Sequence, residues 1–349
     1  MQHQSKLIRA LALALPLGLA AAPGVLAQNS NQPQVYEAPL VTASRPAGAA
    51  QHARQLNADT GTPFIGEGAK GPAVLRAQVL LDRHWFSPGQ MDGLYGRNTR
   101  HAILSFQRSR GLESSGTIDG ATWQALQQQQ PGPAFATYQL THDDVKGPFK
   151  KIPDDPRQMA KMERLYYETL LESLGERFHI KPELLASLNK NRPMRAGQAI
   201  VVTNVGQNVA LPEGDKSIRI SKSDRMLYLV GADDKLLGAF PVSIGGRGDD
   251  LPVGQVLEIN SDVKNPDFGY DAALLDGYSG PDVVVPPGPN SPVGLMWMGL
   301  SKPHWGIHGT SSPADMARVE TNGCIRMTNW DVLRLTEQVG IGTKVQLAS

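Results

Sequence analysis

The chain has 349 residues, which is long for one domain and suggests two or three. Its 34 basic and 33 acidic residues nearly balance, so its charge does not indicate a nucleic-acid or anionic-membrane partner. The 36 glycines, the 26 prolines and a hydrophobic content of 40% fit a loop-rich chain with linkers and several small cores.

The first 67 residues have the pattern of an exported protein followed by a lead segment. Lys6 and Arg9 precede an apolar run that is too short to span a bilayer comfortably, and small residues surround Ala27. We therefore expect residues 1–27 to be a signal peptide cleaved after Ala27. A membrane anchor is the alternative, but Pro16 and other breakers interrupt the run. Residues 28–67 are rich in Gln, Asn, Pro, Ala and Gly without periodicity, and we expect a flexible lead.

A helical domain is predicted over residues 68–130. Apolar residues have helical spacing over 74–81 and 99–107, and a shorter segment of the same kind covers 116–126. The Asp-Gly pairs before the helices suit turns, because Gly adopts tight conformations and Asp caps exposed N–H groups. With its DGLYG-x-x-T and FQ-x-x-x-GL motifs, this stretch resembles the small three-helix peptidoglycan-binding domain. A plain helical spacer is the alternative.

Residues 136–205 predict a small α/β module. An amphipathic segment begins at 166 and continues to 180, a second short helix covers 181–189 with Pro182 in its first turn, and a strand covers 196–202. The order of helix, helix, Asn and strand is similar to the glycan-binding LysM module, although no opening strand is evident. For His179, at a helix end, we expect a structural role rather than a ligand role.

The remainder, residues 213–349, is β-like with one substantial helix. A hairpin surrounds the turn at 222–225, further strands are expected near 236–242, 255–259 and 295–298, and a helix over 331–339 has Thr328 or Asn329 as its cap. The glycine-rich loop at 245–248 lacks the Lys-Ser/Thr of a phosphate-binding loop, so it predicts a turn. We expect a mainly β, sandwich-like domain within a multidomain α+β chain.

Cys324 is the only cysteine of the chain. In an exported protein a lone thiol is either buried and inert or retained for its chemistry. A nucleophilic thiol needs a nearby base, and His308 lies 16 residues earlier on a strand-like segment. Two neighbouring strands joined by a loop would bring the two side chains together. The carbonyl of Gly309 could then orient the imidazole, and the N–H groups of Gly323 and Cys324 could stabilise an oxyanion.

Four separated motifs give a family resemblance over residues 217–349. Ile-His-Gly-Thr at 307–310 followed by Gly-Cys-Ile-Arg-Met at 323–327 resembles the signature of the L,D-transpeptidase catalytic domain. The Pro- and Gly-rich stretch before Trp297 belongs to the same pattern, as does the segment at 240–245 with the Pro-x-Gly after it. Asn322 stands where the family often has a second histidine, so His308 must be the base. Leu251 replaces a common Thr, which we expect to be neutral.

The resemblance implies a ping-pong acyl transfer on peptidoglycan. Cys324 would attack a tetrapeptide stem and release D-Ala, with His308 as proton donor and acceptor. The acyl group would pass to a second stem amine, forming a 3→3 cross-link, or to an envelope protein. Transfer to water would make the enzyme an L,D-carboxypeptidase. Candidate oxyanion and substrate residues are Gly323, Asn322, Arg326 and Thr310, and Arg326 could instead lower the cysteine pKa or bond the loop backbone.

The resemblance also implies the partners and the location of the protein, and two alternative functions remain. No metal or organic cofactor is needed, and the partners would be stem peptides and glycan, with no membrane span after signal cleavage. The signal peptide and modules fit a wall-associated protein of the periplasm. A peptidoglycan-binding protein with a decayed site is one alternative, although it would have no reason to keep the only cysteine of the chain. A cysteine peptidase acting on protein is another, but its own flanking motifs are missing.

Overall fold

The computed structural model describes residues 47–130, 132–245, 253–271, 280–320 and 324–348. The expected signal peptide and the first part of the expected lead lie outside these ranges. None of the helices within them is long and apolar enough to cross a membrane.

Helix α1, Ala47–Ala58, lies in the segment that we expected to lack helical periodicity. Ala49 and Ala53, four residues apart, are buried against the core of the middle module. Asn57 and Phe135 share two hydrogen bonds. Asn57 Nδ2 donates to Phe135 O at 2.8 Å, and Phe135 N donates to Asn57 Oδ1 at 3.1 Å. The expectation was wrong here because a stripe of alanines gives little hydrophobic contrast along the sequence.

The first domain consists of the three predicted helices, α2 (Pro72–Arg83), α3 (Arg97–Arg110) and α4 (Gly120–Gln127). Large side chains such as Phe106 and Trp123 fill the core between them. Asp119 caps α4, since its Oδ1 accepts a hydrogen bond of 2.8 Å from Thr122 N. Helical periodicity and capping chemistry therefore predicted this domain correctly.

The middle module has a two-stranded sheet and four helices, in the order β1 (Phe135–Gln139), α5 (His142–Lys146), α6 (Pro156–Met159), α7 (Leu170–Arg177), α8 (Pro182–Leu188) and β2 (Ala199–Thr203). Strand β1 is the opening strand that the sequence did not reveal, and it pairs with β2 in antiparallel register. Helix α7 begins at Leu170, later than predicted, because Thr169 and Glu172 form a capping box that fixes the first turn.

Asn189 closes this module by joining helix α8 to strand β2. Its Nδ2 donates to Val201 O and its Oδ1 accepts from Val201 N, both at 2.7 Å. A buried side-chain amide with both ends bonded to one backbone residue fixes a register. The Asn that the sequence pattern singled out is thus a structural residue of the module.

In its described residues, the C-terminal domain has ten strands and helix α9 (Asn329–Thr336). The strands are β3 (Ser217–Ser221), β4 (Met226–Val230), β5 (Leu236–Pro241), β6 (Val256–Lys264), β7 (Phe268–Tyr270), β8 (Val283–Val285), β9 (Met296–Leu300), β10 (Gly306–His308), β11 (Ile325–Arg326) and β12 (Lys344–Ala348). The predicted hairpin is β3–β4, with Ser217 opposite Val230. The predicted helix is α9, which begins earlier and ends earlier than its sequence pattern.

Eight of these strands form one curled sheet in the order β11-β10-β9-β6-β12-β3-β4-β5. Its two edges meet, because Ser243 after β5 exchanges backbone hydrogen bonds of 3.0 and 2.9 Å with Arg326 on β11. The enclosed core includes Phe240 and Ile307. The domain is therefore mainly β, as predicted; its main sheet is curled on itself where we expected a sandwich-like arrangement, and β7 and β8 form a separate two-stranded sheet. The chain is a multidomain α+β protein.

The three units pack closely against one another. The first domain extends the sheet beyond β5, since Ser87 N bonds to Ala239 O and Ala239 N bonds to Trp85 O, both at 2.8 Å. At the junction, Arg334 of α9 forms an ion pair with Asp82, with Nη2 3.1 Å from Oδ1. His179 of the middle module lies 3.2 Å from Asp82 Oδ2, in the structural role expected of it.

Candidate active site

His308 ends strand β10 and is almost fully enclosed, with 4% of its surface exposed. The Trp297 indole stacks on its imidazole with ring centroids 5.5 Å apart and an interplanar angle of 19°. The stacking depends on Gly306, because a Cβ there would lie 2.5 Å from the indole ring. The sequence placed Trp297 in a family motif but did not reveal this contact.

The backbone selects one tautomer of His308. Its Nδ1 lies 2.7 Å from Gly309 O. A carbonyl oxygen can only accept, so Nδ1 carries the proton and Nε2 keeps a lone pair. This is the contact that we expected of Gly309, and it leaves Nε2 as the proton acceptor of the neutral ring.

The surroundings of His308 keep the ring neutral. Burial, together with the positive charge of Arg326, lowers the pKa of His308 to about 3, although the hydrogen bond to Gly309 opposes the shift. At neutral pH the imidazole is therefore uncharged and able to take a proton. An imidazolium formed during a reaction would be unstable there, which favours rapid return of the proton.

Cys324 immediately precedes β11, which pairs in parallel with β10. The register places Ile325 opposite Ile307 and Arg326 opposite His308. The loop between His308 and Cys324 thus returns the chain to the neighbouring strand, as the spacing predicted. The Cys324 thiol is half-buried and its Sγ donates to His304 O at 3.5 Å.

Burial raises the pKa of the Cys324 thiol, while a hydrogen bond from the Gly306 backbone and the charge of Arg326 lower it by less. The expected effect of Arg326 is thus present but does not prevail. The resting pair is a neutral thiol and a neutral imidazole. Reaction therefore requires proton transfer to His308 as the sulfur attacks.

Arg326 has a guanidinium close to both reactive groups. Its Nε is buried without a hydrogen-bond partner in the described part of the chain. Its loop contact to Ser243 uses backbone atoms, not the side chain. A half-buried cation whose Nε–H lacks a partner among the described residues suits a carboxylate ligand. The roles weighed for Arg326 from the sequence remain predictions.

Asn329 holds the loop that follows His308, a role that the sequence did not reveal. Its Oδ1 accepts from Leu295 N at 3.1 Å and from Thr310 N at 3.2 Å. Thr328, the other candidate, is the cap of α9, which leaves the Asn329 side chain for this loop. At Gly309 a Cβ would collide with Asn329 Oδ1, so the glycine admits this side chain.

Thr310 is placed differently from the sequence hypothesis. It is 1% exposed, and its Oγ1 accepts from Ser312 N at 3.1 Å. A buried hydroxyl that caps its own loop is not available to a substrate, so we treat Thr310 as a structural residue. The hypotheses for Asn322 and Gly323 lie outside the described residues.

Comparisons with known proteins agree with this geometry. A family model described as "L,D-transpeptidase catalytic domain" matches residues 215–347, and one described as "Putative peptidoglycan binding domain" matches residues 70–126. The Bacillus subtilis protein named "Putative L,D-transpeptidase YqjB" is 30% identical over 146 residues, which are 40% of this chain and 74% of that protein. The Bacillus licheniformis protein named "Putative L,D-transpeptidase YkuD" is 29% identical over 180 residues, 51% of this chain and 92% of that protein.

Among solved structures, an L,D-transpeptidase from Xylanimonas cellulosilytica is similar at 16% identity and a TM-score of 0.35. The match covers 83% of this chain and 100% of that one. A likeness at this TM-score adds nothing to the assignment, which rests on the sequence matches.

Proposed function

The chain belongs to the L,D-transpeptidase family, and on that premise we propose that it is an exported cysteine acyltransferase that cross-links peptidoglycan stem peptides. The observation that carries the proposal is the pairing of β10 with β11. It sets Cys324 beside the strand of His308, whose Nδ1 is held by Gly309 O and whose Nε2 is a free base. A nucleophile next to an oriented base is the arrangement that acyl transfer requires.

In the first half-reaction, the Cys324 sulfur attacks the carbonyl carbon between the third residue and the terminal D-Ala of a tetrapeptide stem. The thiol proton passes to Nε2 of His308 as the C–S bond forms. Backbone N–H groups at Gly323 and Cys324 would stabilise the oxyanion. The C–N bond then breaks, and D-Ala leaves with the proton from the imidazolium. The product is a thioester on Cys324 with His308 again neutral.

In the second half-reaction, an amine attacks the thioester and His308 takes one of its protons. The C–S bond breaks and the sulfur recovers a proton, which restores the resting pair. The acceptor that we propose is the side-chain amine of a diamino acid on a second stem, giving a 3→3 cross-link. An envelope protein or water would enter the same step, and Asn322 and Arg326 would bind the stems, Arg326 through a carboxylate.

The two N-terminal units fit a polymeric substrate. We propose that the first domain and the LysM-like module bind peptidoglycan, which raises the local concentration of stems at Cys324. The first domain is docked on the C-terminal domain through Ser87 and Arg334, and the middle module through Glu176 and Asn329. Binding at the modules would therefore hold the wall at a fixed orientation. With the proposed signal peptide, this supports our proposal of a wall-associated protein of the periplasm.

The test is mass spectrometry of products after the protein is incubated with disaccharide-tetrapeptide, next to Cys324→Ala. A dimer lacking one D-Ala, absent with the variant, is the expected result. Tripeptide alone would support water as acceptor, and an added envelope-protein mixture would reveal a protein acceptor by its mass increase. No product and no acyl-enzyme mass on Cys324 would contradict the proposal and favour a binding protein.

A further inference from the structure

Glu176 is a buried acid that the chemistry above does not use. It lies in helix α7 of the middle module, is 6% exposed and faces the C-terminal domain. Both carboxyl oxygens contact Asn329, whose Nδ2 lies 3.1 Å from Oε1 and 3.0 Å from Oε2. The Tyr167 hydroxyl lies 3.3 Å from Oε2. A carboxyl group in the interior needs a reason to be there.

The contacts of Asn329 determine the orientation of its amide. Nδ2 donates to Glu176 and also to Pro289 O at 3.1 Å. Oδ1 accepts from the backbone N–H groups of Leu295 and Thr310. A reversed amide would set its NH₂ against those two donors, so only one orientation satisfies every neighbour. Glu176 thereby fixes the oxygen that holds Thr310 N.

The peptide unit between Gly309 and Thr310 connects this contact to the base. Its N–H donates to Asn329 Oδ1, and its carbonyl accepts from His308 Nδ1 at 2.7 Å. The unit is planar and trans, so N–H and C=O point in opposite directions. An N–H held by Asn329 therefore aims the carbonyl at the imidazole.

We propose that Glu176 is a positioning residue for His308, which acts through Asn329 and the Gly309–Thr310 peptide to maintain the Nδ1–H tautomer. The proposal rests on the proposed function in that His308 is the base. It makes the middle module part of the catalytic machinery as well as a wall-binding unit. The C-terminal domain alone would lack this carboxyl group.

The protonation of Glu176 determines which substitution preserves the contact. Burial, with a smaller contribution from the neighbouring Glu172, raises the pKa of Glu176 to about 8, although hydrogen bonds from Asn329 and Tyr167 oppose the shift. Near neutral pH the group is mostly a neutral acid, with one oxygen to accept from Asn329 and one O–H to donate. Glutamine has the same shape and the same pair of functions, whereas methionine has the shape without the acceptor.

The experiment compares the full chain with Glu176→Gln and Glu176→Met. Long-range ¹H–¹⁵N spectra report the tautomer of His308, whose signal is assigned by its loss in His308→Gln. We expect the Nδ1–H tautomer in the unsubstituted protein and in E176Q, and a mixture of tautomers in E176M. With disaccharide-tetrapeptide, E176M should lower kcat about 10–100-fold at nearly unchanged KM, whereas E176Q should keep most of the activity.

Glu183→Met is the matched control, because Glu183 is an exposed glutamate on α8 of the same module. It should change neither the tautomer nor kcat. If E176M does not fold, Glu176→Ser leaves room for water and has the same expected direction. An unchanged tautomer and kcat in folded E176M or E176S would overturn the proposal. So would a loss of kcat in E176Q as large as the loss in E176M. Absence of product from the unsubstituted protein would instead contradict the proposed function, and the tautomer would still test Glu176.

Discussion

The two reactive side chains differ in how far the protein fixes them. His308 is enclosed by the Trp297 indole, bonded to Gly309 O and supported by Asn329 beneath its loop. Cys324 is half-buried, and its thiol contacts a backbone carbonyl, that of His304. The base is thus held by side chains from several elements, whereas the nucleophile lies half-buried immediately before β11.

This difference separates two tasks of catalysis. A general base must point its accepting nitrogen at the proton that it takes, so contacts around the imidazole ring have to fix its orientation. A nucleophile must reach a substrate carbon, so enclosure on every side would prevent reaction. Both groups are uncharged at rest, because burial lowers the pKa of His308 to about 3 and raises that of Cys324. The substrate therefore meets a thiol that loses its proton only as it attacks.

The largest expected effect follows replacement of the base. His308→Gln removes the lone pair of Nε2, and we expect kcat/KM for tetrapeptide consumption to fall about 10²–10⁴-fold. His304→Gln is the matched control, since His304 contacts the thiol through its carbonyl, which the substitution keeps. Its activity should stay within a few-fold of the unsubstituted protein. Equal losses in both variants would mean that His308 is not a specific base.

The helix beneath the His308 loop depends on a buried cation. Arg334 is 6% exposed and lies 2.6 Å from Asp331 Oδ1 and 3.1 Å from Asp82 Oδ1. Arg334→Leu leaves both carboxylates buried without it, and we expect the free energy of unfolding in urea to fall by about 3–5 kcal/mol.

Arg219→Leu supplies the contrast to Arg334, because Arg219 pairs with the exposed Asp234 at 2.9 Å. It should cost no more than about 1 kcal/mol. Similar losses from the two variants would show that the buried cluster does not anchor α9.

The packing of Trp297 on His308 is tested at Gly306. A methyl group there would overlap the indole, so we expect Gly306→Ala to destabilise the fold by about 1–3 kcal/mol in urea and to reduce kcat. Gly340→Ala makes the same change where the added Cβ meets nothing within 4 Å. That control should lie within about 0.5 kcal/mol of the unsubstituted protein. A stable, fully active G306A would separate the stack from the chemistry.

Local patterns predicted the strongly periodic parts of the fold and failed where structure depends on distant partners. Helices α2 to α4 carry clear apolar stripes and caps, and they were found. Helix α1 was missed because its buried face is alanine, and β1 because its five residues are defined by pairing with β2. The closure of the sheet through Ser243 and Arg326 leaves no local signal either.

The site shows the same division. The spacing of His308 and Cys324 predicted neighbouring strands, and the Gly after His308 suggested its carbonyl as partner. The link from Glu176 to Asn329 joins residues 153 positions apart, which no spacing rule could reveal. The pKa directions also depend on burial, which the sequence does not show. Arg326 lowers the pKa of Cys324, as one hypothesis had it, but burial raises that pKa by more.

The smallest expected effect concerns the charge shared by the two groups. Arg326 lowers the pKa of the Cys324 thiol, so Arg326→Gln should raise that pKa further. Since the thiolate is the reactive form, its fraction at a given pH below the pKa falls tenfold for each unit of increase. We expect iodoacetamide to alkylate R326Q up to about tenfold more slowly at pH 8, and the curve of alkylation rate against pH should shift to higher pH. As Cys324 is the only cysteine, the reaction reports this thiol alone.

Arg318→Gln is the matched control for this charge, because Arg318 is an exposed arginine of the loop between His308 and Cys324. It should leave the alkylation curve in place. The same Arg326 charge lowers the pKa of His308, so R326Q should raise the pKa of the imidazole from about 3 toward its ordinary range. Arg326 thus has opposite effects on the two reactive groups. Its charge favours the thiolate form of Cys324 and disfavours the protonated form of His308. If R326Q left the alkylation curve of Cys324 in place but raised KM, Arg326 would act in substrate binding alone.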